Sequence, residues 1–195
     1  MVRQSTEAPL NPGRSQRPAL LLDRDGVINL DHGYVASRDR FEFTPGIFAL
    51  TRRAVDLGYA VAVITNQAGI ARGYYPEARF LTLSRWMAGE FAREGVDLAG
   101  IFHCPYYEHG TVAAYRRDSF WRKPAPGMIL EAARSLGLDL ARSIFLGDQA
   151  TDMAAAAAAG VGLRVLLGDG SPDSAGHATL AIRDLAALTG RLGRA

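Results

Sequence analysis

Two aspartates one residue apart, Asp23 and Asp25, follow the apolar run Ala19-Leu20-Leu21-Leu22 and precede Gly26. A short apolar run bounded by turn residues reads as a buried strand. Side chains at i and i+2 of an extended segment project the same way, so Asp23 and Asp25 can share one pocket at the strand's carboxyl end, where Gly26 lets the backbone turn. Two carboxylates that close repel, and their charge calls for a cation. A hard ion with oxygen ligands, Mg2+, suits carboxylates together with a phosphate. Taken alone, the same residues also describe a strand ending in a solvated Asp-x-Asp-Gly turn.

Three further polar clusters bear on that choice: Thr65-Asn66-Gln67 after a second apolar run, Lys123 within Trp121-Arg122-Lys123-Pro124, and Asp148 with Asp152 ahead of a run of alanines. Lys123 is the only lysine among 22 basic residues. A compact point charge is what lysine offers and arginine does not, although a single residue can fall there by chance. Asp152 stands one helical turn after Asp148 and can face the same pocket, or it can merely favour a helix start through the helix dipole.

The elements that would position these groups alternate. After the first strand comes a loop, 30–43, then a helix opened by Pro45-Gly46 with Ile47, Leu50, Ala54 and Leu57 at helical spacing. A strand from Ala60 to Ile64 follows, then a helix from Pro76 to about Glu94 carrying Phe80, Leu83, Trp86, Met87 and Phe91, and a strand over Ile101–Cys104. A long loop, 105–122, precedes a helix from Pro126 to Leu136, a strand from Ser143 to Leu146, the alanine helix to Gly160, and a strand from Leu163 to Leu167. A polar loop from Gly168 to His177, a weak strand near Thr179–Ile182 and a helix over Asp184–Leu192 close the chain. Strands alternating with helices give an α/β fold, a Rossmann-like three-layer sandwich with a mainly parallel sheet, whose ligands bind beyond the carboxyl ends of the strands. Every polar cluster falls at such an end or at the helix start beyond it.

At 195 residues the chain suits a single domain over 19–195, preceded by a flexible extension, 1–18, rich in proline and polar residues. Hydrophobic residues at 48% and charged residues at 22% exclude wholesale disorder. A net charge of +2 is too slight to argue for nucleic acid. The lone Cys104 cannot form an internal disulfide. With no apolar run of membrane-spanning length and no signal-peptide core in 1–18, a cytoplasmic protein without membrane contact is expected, and a monomer.

In this order, Asp23-x-Asp25, Thr65-Asn66, Lys123 and Asp148 with Asp152 resemble the haloacid dehalogenase superfamily of phosphohydrolases. Asp23-Arg24-Asp25-Gly26-Val27-Ile28-Asn29, His32-Gly33-Tyr34-Val35, Phe41-Glu42-Phe43, Thr65 through Tyr75, and Arg122-Lys123-Pro124 are similar to its branch of D-glycero-D-manno-heptose 1,7-bisphosphate phosphatases, with histidinol-phosphate phosphatases as cousins. The resemblance implies a nucleophile at Asp23 that becomes an aspartyl-phosphate, and a general acid and base at Asp25. It implies Mg2+ held by the Asp23 carboxylate, the Asp25 carbonyl and the Asp148 carboxylate, with Asp152 acting through water or a neighbour. Phosphoryl oxygens would meet the Thr65 hydroxyl, the Asn66 backbone N–H and Lys123. Arg122, Arg72 and Gln67 are the candidates for the rest of a small phosphorylated sugar, and Arg24 for a structural pair. Only 42 positions separate Asp23 from Thr65, too few for a folded lid, which fits the capless branch.

The chain departs from that branch twice. Where the branch has a four-ligand zinc loop, this chain keeps Cys104 but has Tyr106, Ser119 and Trp121, so no structural zinc is expected. Packing by Tyr106, Tyr107, Phe120 and Trp121 should order the loop instead, with His103 and His109 as ordinary histidines. Gln149 stands where a lysine is usual and leaves substrate identity open. Histidinol phosphate or another small ester is the alternative substrate. A catalytically idle phosphate-binding protein is the rival of another class, and the acid Asp25 argues against it.

Overall fold

The apolar runs do become strands, and they lie side by side. The computed structural model describes residues 16–168 and 176–193. Among these, β1 (Ala19–Leu22), β2 (Ala60–Asn66), β3 (Gly100–Cys104), β4 (Ile144–Gly147), β5 (Leu163–Leu167) and β6 (Leu180–Ile182) form one sheet in the order β3-β2-β1-β4-β5-β6. Every neighbouring pair is parallel, so the expected parallel sheet has no antiparallel strand among the described residues.

Parallel sheets need cover on both faces, and the period of two in β1 supplies it. Leu20 and Leu22 point into one core with Val61, Val63 and Leu146, under α1 (Ile47–Asp56), α3 (Glu77–Arg93) and α6 (Leu185–Thr189). Ala19 and Leu21 point into the other with Ala62, Ile64 and Phe145, under α4 (Gly127–Leu136) and α5 (Ala150–Ala158). All of these strand side chains are essentially fully buried, each large one worth roughly 1.5–3 kcal/mol. In α5 the buried residues are Asp152, Met153, Ala155 and Ala156, and the two alanines let the helix approach β4 and β5 closely at little cost in side-chain entropy.

β1 is central, and the chain crosses from the β3 edge back to β4 beside it. That reversal opens a crevice at the carboxyl ends of β1 and β4, where Asp23 and Asp148 stand. Several boundaries differ from the sequence reading: β2 runs on through Asn66 instead of ending at Ile64, and α5 ends at Ala158. A short helix, α2 (Ala68–Ala71), directly follows β2, where only a loop was read because one turn is too short to show a period. The last helix ends at Thr189 because Gly190 weakens its final turn. The expected extension 1–18 lies mostly outside the described residues, as does much of the loop 168–177. Within the described part, Arg17 pairs with Leu138 as a β-bridge, and the Ala60 N–H donates to the Pro18 carbonyl.

Candidate active site

The site begins where β1 stops being apolar. The Asp23 N–H still donates to the Leu146 carbonyl at 2.9 Å, so the residue is fixed by sheet pairing with β4. Beyond it the Arg24 carbonyl accepts from the N–H groups of Val27, Ile28 and Asn29, a tight turn permitted by Gly26 at φ +83°. Gly26 is needed for a second reason, since a Cβ there would lie 2.3 Å from Asp148 Oδ2. Gly147 is equally confined, because its Cβ would lie 2.4 Å from that of Asp152.

Lys123 enters from the loop before α4 and is 2% exposed. Its Nζ lies 2.9 Å from Asp23 Oδ1 and 2.6 Å from Asp152 Oδ1, and donates to the Ile64 carbonyl at 3.0 Å. Its backbone is gripped by Asn66, whose Oδ1 accepts from the Lys123 N–H at 3.1 Å while its Nδ2 donates to the Lys123 carbonyl at 3.0 Å. The side-chain amide supplies both halves of that clasp from two separate atoms. Asn66 therefore also ties the end of β2 to the lysine loop, a task its spacing did not announce.

Asp23, Asp148 and Asp152 bring carboxylate oxygens within 4.8 Å of one another. Each such pair repels by roughly 3 kcal/mol at an effective dielectric of about 20. With all three ionised, Lys123 offsets one of the three charges and two remain. Asp148 Oδ2 accepts from Gln149 Nε2 at 2.9 Å, but its Oδ1 is buried with no hydrogen-bond partner. Asp152 differs in having an ion-pair partner: Oδ1, which is also buried without a hydrogen bond, lies 2.6 Å from Lys123 Nζ, and Oδ2 accepts from the Gln149 N–H at 3.1 Å. The unpartnered Asp148 oxygen and the surplus of two negative charges fit a divalent cation, with Asp23 and Asp148 as its carboxylate ligands and Asp152 as the group that orients Lys123.

Asp25 faces a separate set of partners. Its carboxylate receives two donors of Arg24, Asn29 Nδ2 at 3.1 Å and Gln67 Nε2 at 3.1 Å. The Arg24 guanidinium is itself buried and reaches the Val35 carbonyl at 2.8 Å, so the expected structural pair is present and anchors the loop 30–43. Gln67 departs from its expected place. It is 2% exposed and fully engaged, giving Nε2 to Asp25 and to Thr65 Oγ1 and accepting from the Tyr75 hydroxyl at 2.7 Å. It orients Asp25 and Thr65 from behind and has no free group for a ligand. Because Thr65 Oγ1 accepts from Gln67, its own O–H remains to donate forward.

Arg72 and Arg122 converge on one ring, their guanidinium carbons 4.4 Å and 4.9 Å from the centroid of Tyr107. In the same loop Arg117 stacks on Tyr106, and Trp121 packs partly buried beneath. Phe120, expected to pack, is instead 61% exposed. Cys104 is buried with Sγ near the Tyr106 carbonyl, His103 pairs with Glu77 at 2.8 Å, and His109 lies edge-on to Tyr107. At the rim Tyr34 and Tyr74 meet edge to face, Tyr34 at φ +50°. Asn29, Tyr34, Tyr74 and Tyr75 lie in the stretches that carry the family resemblance, but their residue types and spacing gave none of them a role at the site.

A HAD-hydrolase-like family model matches residues 120–188. Proteins named D-glycero-beta-D-manno-heptose-1,7-bisphosphate 7-phosphatase from Vibrio cholerae serotype O1 and Escherichia coli K12 are each 48% identical, over 80% of this chain and 84% and 81% of their own lengths. The chain belongs to the haloacid dehalogenase-like phosphatases. Among solved structures, a D,D-heptose 1,7-bisphosphate phosphatase from B. bronchiseptica complexed with magnesium and phosphate matches with a TM-score of 0.75 and 32% identity, over 89% of this chain and 97% of that one. A HAD-like phosphatase from Mesorhizobium loti matches with a TM-score of 0.81 and 34% identity, over 93% and 90%. Phosphatases of this family use Mg2+, and the Asp23, Asp148 and Lys123 constellation of this one is suited to it.

The electrostatics of the metal-free phosphatase set a pH dependence. Burial, opposed by Lys123 and reinforced by Asp152, pushes the Asp23 carboxyl from 3.8 up to about 8. Burial also raises Asp148, and burial opposed by Asp152 and Asp23 leaves Lys123 above its usual value. Between about pH 4 and pH 8 the folded chain holds a proton at Asp23 that the unfolded chain has released, so metal-free stability falls as pH rises through that window. A cation must displace the same proton and therefore binds more tightly as pH rises. At one fixed Mg2+ concentration the rise in melting temperature should be larger at about pH 8.5 than at about pH 6, reaching roughly 5–10 °C near saturation. Equal shifts at both pH values would contradict this account.

Proposed function

We propose that the chain removes the C7 phosphate of D-glycero-D-manno-heptose 1,7-bisphosphate through an aspartyl-phosphate on Asp23. The observation that carries the chemistry is Lys123 Nζ placed 2.9 Å from Asp23 Oδ1 beside the unpartnered Asp148 oxygen, a nucleophile set between a fixed cation and room for a second. The substrate is taken from the relatives named for it at 48% identity.

In this reading the Asp23 carboxylate oxygen attacks phosphorus in line as the ester bond to C7 oxygen breaks, and Asp25 gives its proton to the departing sugar oxygen. The Thr65 hydroxyl, the Asn66 backbone N–H and Lys123 hold the phosphoryl oxygens and their charge. Asp25, now ionised, takes a proton from a water that attacks the aspartyl-phosphate; the P–O bond to Asp23 breaks, inorganic phosphate leaves and both aspartates return to their starting forms. Bound Mg2+, held by the Asp23 and Asp148 carboxylates and the Asp25 carbonyl, would supply charge neutralisation at the phosphoryl group. Asp25 must change protonation state while staying in place, and its clamp of Arg24, Asn29 and Gln67 provides the orientation. Arg72 and Arg122 are the groups for the second phosphate of the sugar.

A cytoplasmic monomer remains part of the proposal; no helix among the described residues is long and apolar enough to cross a membrane. The loop 105–122 is proposed to need no zinc: the partners that Cys104 would require, His103 and His109, lie against Glu77 and Tyr107, and aromatic rings stack where metal ligands would stand.

Phosphate release from the heptose bisphosphate, histidinol phosphate and p-nitrophenyl phosphate, each with Mg2+ or EDTA, tests the assignment. The expected result is the highest kcat/KM for the bisphosphate and none in EDTA. Preference for histidinol phosphate would overturn the substrate, and no release from any ester would favour an idle binding protein.

A further inference from the structure

The loop 105–122 is strapped to the end of α2. The Val112 N–H donates to the Ala71 carbonyl at 2.9 Å, Thr111 Oγ1 donates to the Arg72 carbonyl at 2.9 Å, and the Tyr107 N–H donates to the Tyr115 carbonyl at 3.1 Å. This strapping delivers one ring, half-buried Tyr107, to two guanidiniums that the sequence separates by fifty positions. Neither Arg72 nor Arg122 has a carboxylate partner among the described residues. The contacts they do have are weak or incomplete: Arg122 reaches only the Tyr106 carbonyl at 3.5 Å, and Arg72 Nε is buried without a partner.

Two like charges held against one ring repel each other, and a cation over an aromatic face gains only about 0.5–1 kcal/mol at a partly exposed position. The arrangement is therefore poorly satisfied by itself and becomes satisfied when an anion takes the free donor edges of both forks. Its placement suits the substrate. Arg122 adjoins Lys123, whose amine holds Asp23, and Arg72 follows the β2 end that carries Thr65 and Asn66.

We propose that Tyr107 is a positioning residue, its ring holding Arg72 and Arg122 together as the receiver of the second, unreacting phosphate of a bisphosphate. This rests on the function proposed above and gives it a residue that a metal-ordered loop would not need. Without the ring, both long side chains regain rotamer freedom and must lose it again on each binding event.

The test compares wild type, Tyr107→Ala and Tyr107→Phe on the heptose bisphosphate and on p-nitrophenyl phosphate, which has no second phosphate, with melting curves of all three proteins. In Tyr107→Ala the KM for the bisphosphate should rise about ten-fold, several times more than any change with the monophosphate, with kcat for the bisphosphate within about two-fold of wild type. Tyr107→Phe keeps the ring and should restore the wild-type KM. Equal losses on both esters would mean a structural role only and would overturn the proposal, as would an unchanged KM for the bisphosphate in Tyr107→Ala. The wild-type arm stands apart: if it cleaves the monophosphate but not the bisphosphate, the functional reading fails first and the inference falls with it.

Discussion

Asp23→Asn should lower phosphate release by roughly ten-thousand-fold or more, the scale on which loss of a covalent nucleophile is felt, while the protein still folds. Asp23 Oδ1 accepts from the Arg24 N–H at 2.7 Å and sits 2.9 Å from Lys123 Nζ. An amide oxygen can take both places, so the fixed geometry at the end of β1 survives. The substitution also mimics the protonated acid, the form that burial favours in the metal-free fold below about pH 8. Melting temperature without Mg2+ at neutral pH should consequently be unchanged or slightly higher. The Mg2+-induced rise in melting temperature should shrink sharply, since one of two carboxylate ligands is gone. A variant that retained a tenth of wild-type activity would remove Asp23 from the role of nucleophile.

Lys123→Met carries the largest expected stability effect. It fills the lysine's volume but leaves Asp23 and Asp152 facing each other without their shared cation, and the Ile64 carbonyl without its donor. Breaking one side of a buried ion pair costs about 3–5 kcal/mol, which in a domain of this size lowers the melting temperature by roughly 10 °C. The loss should be smaller at about pH 5, where the stranded carboxyls can take up protons, than at about pH 8. Activity should be lost along with the charge that holds the phosphoryl oxygens. Lys123→Arg should not rescue it, because the amine fits between Asp23, Asp152 and the Ile64 carbonyl, a buried spot that a planar fork cannot enter in the same way. A melting temperature within a degree or two of wild type would contradict the central position given to this residue.

The sheet and the carboxylates clustered at its strand ends were legible in the sequence because their signals are local. An apolar run of four ending in Asp-x-Asp-Gly carries both a strand and its functional end, and helical periods in α1 and α3 show directly which face is buried. Gln67 was misplaced as a contact for substrate because position relative to a strand end says which elements a residue lies near, not whether its amide is already spent on Asp25, Thr65 and Tyr75. Asp152 was expected beside Asp148 by helical spacing. Its main partner is Lys123, a contact that depends on how the loop before α4 folds across the sheet end. Tyr107 was read as packing alone, since its two arginines reach it from α2 and from the far end of its own loop.

The most direct measurement follows the two phosphates of D-glycero-D-manno-heptose 1,7-bisphosphate by phosphorus NMR in the presence of Mg2+ and wild-type protein. The C7 resonance should disappear as one equivalent of inorganic phosphate appears, with the C1 resonance retained and no change in EDTA or with Asp23→Asn. Release from C1, or persistence of both esters under conditions where the protein is folded and Mg2+ is bound, would contradict the account.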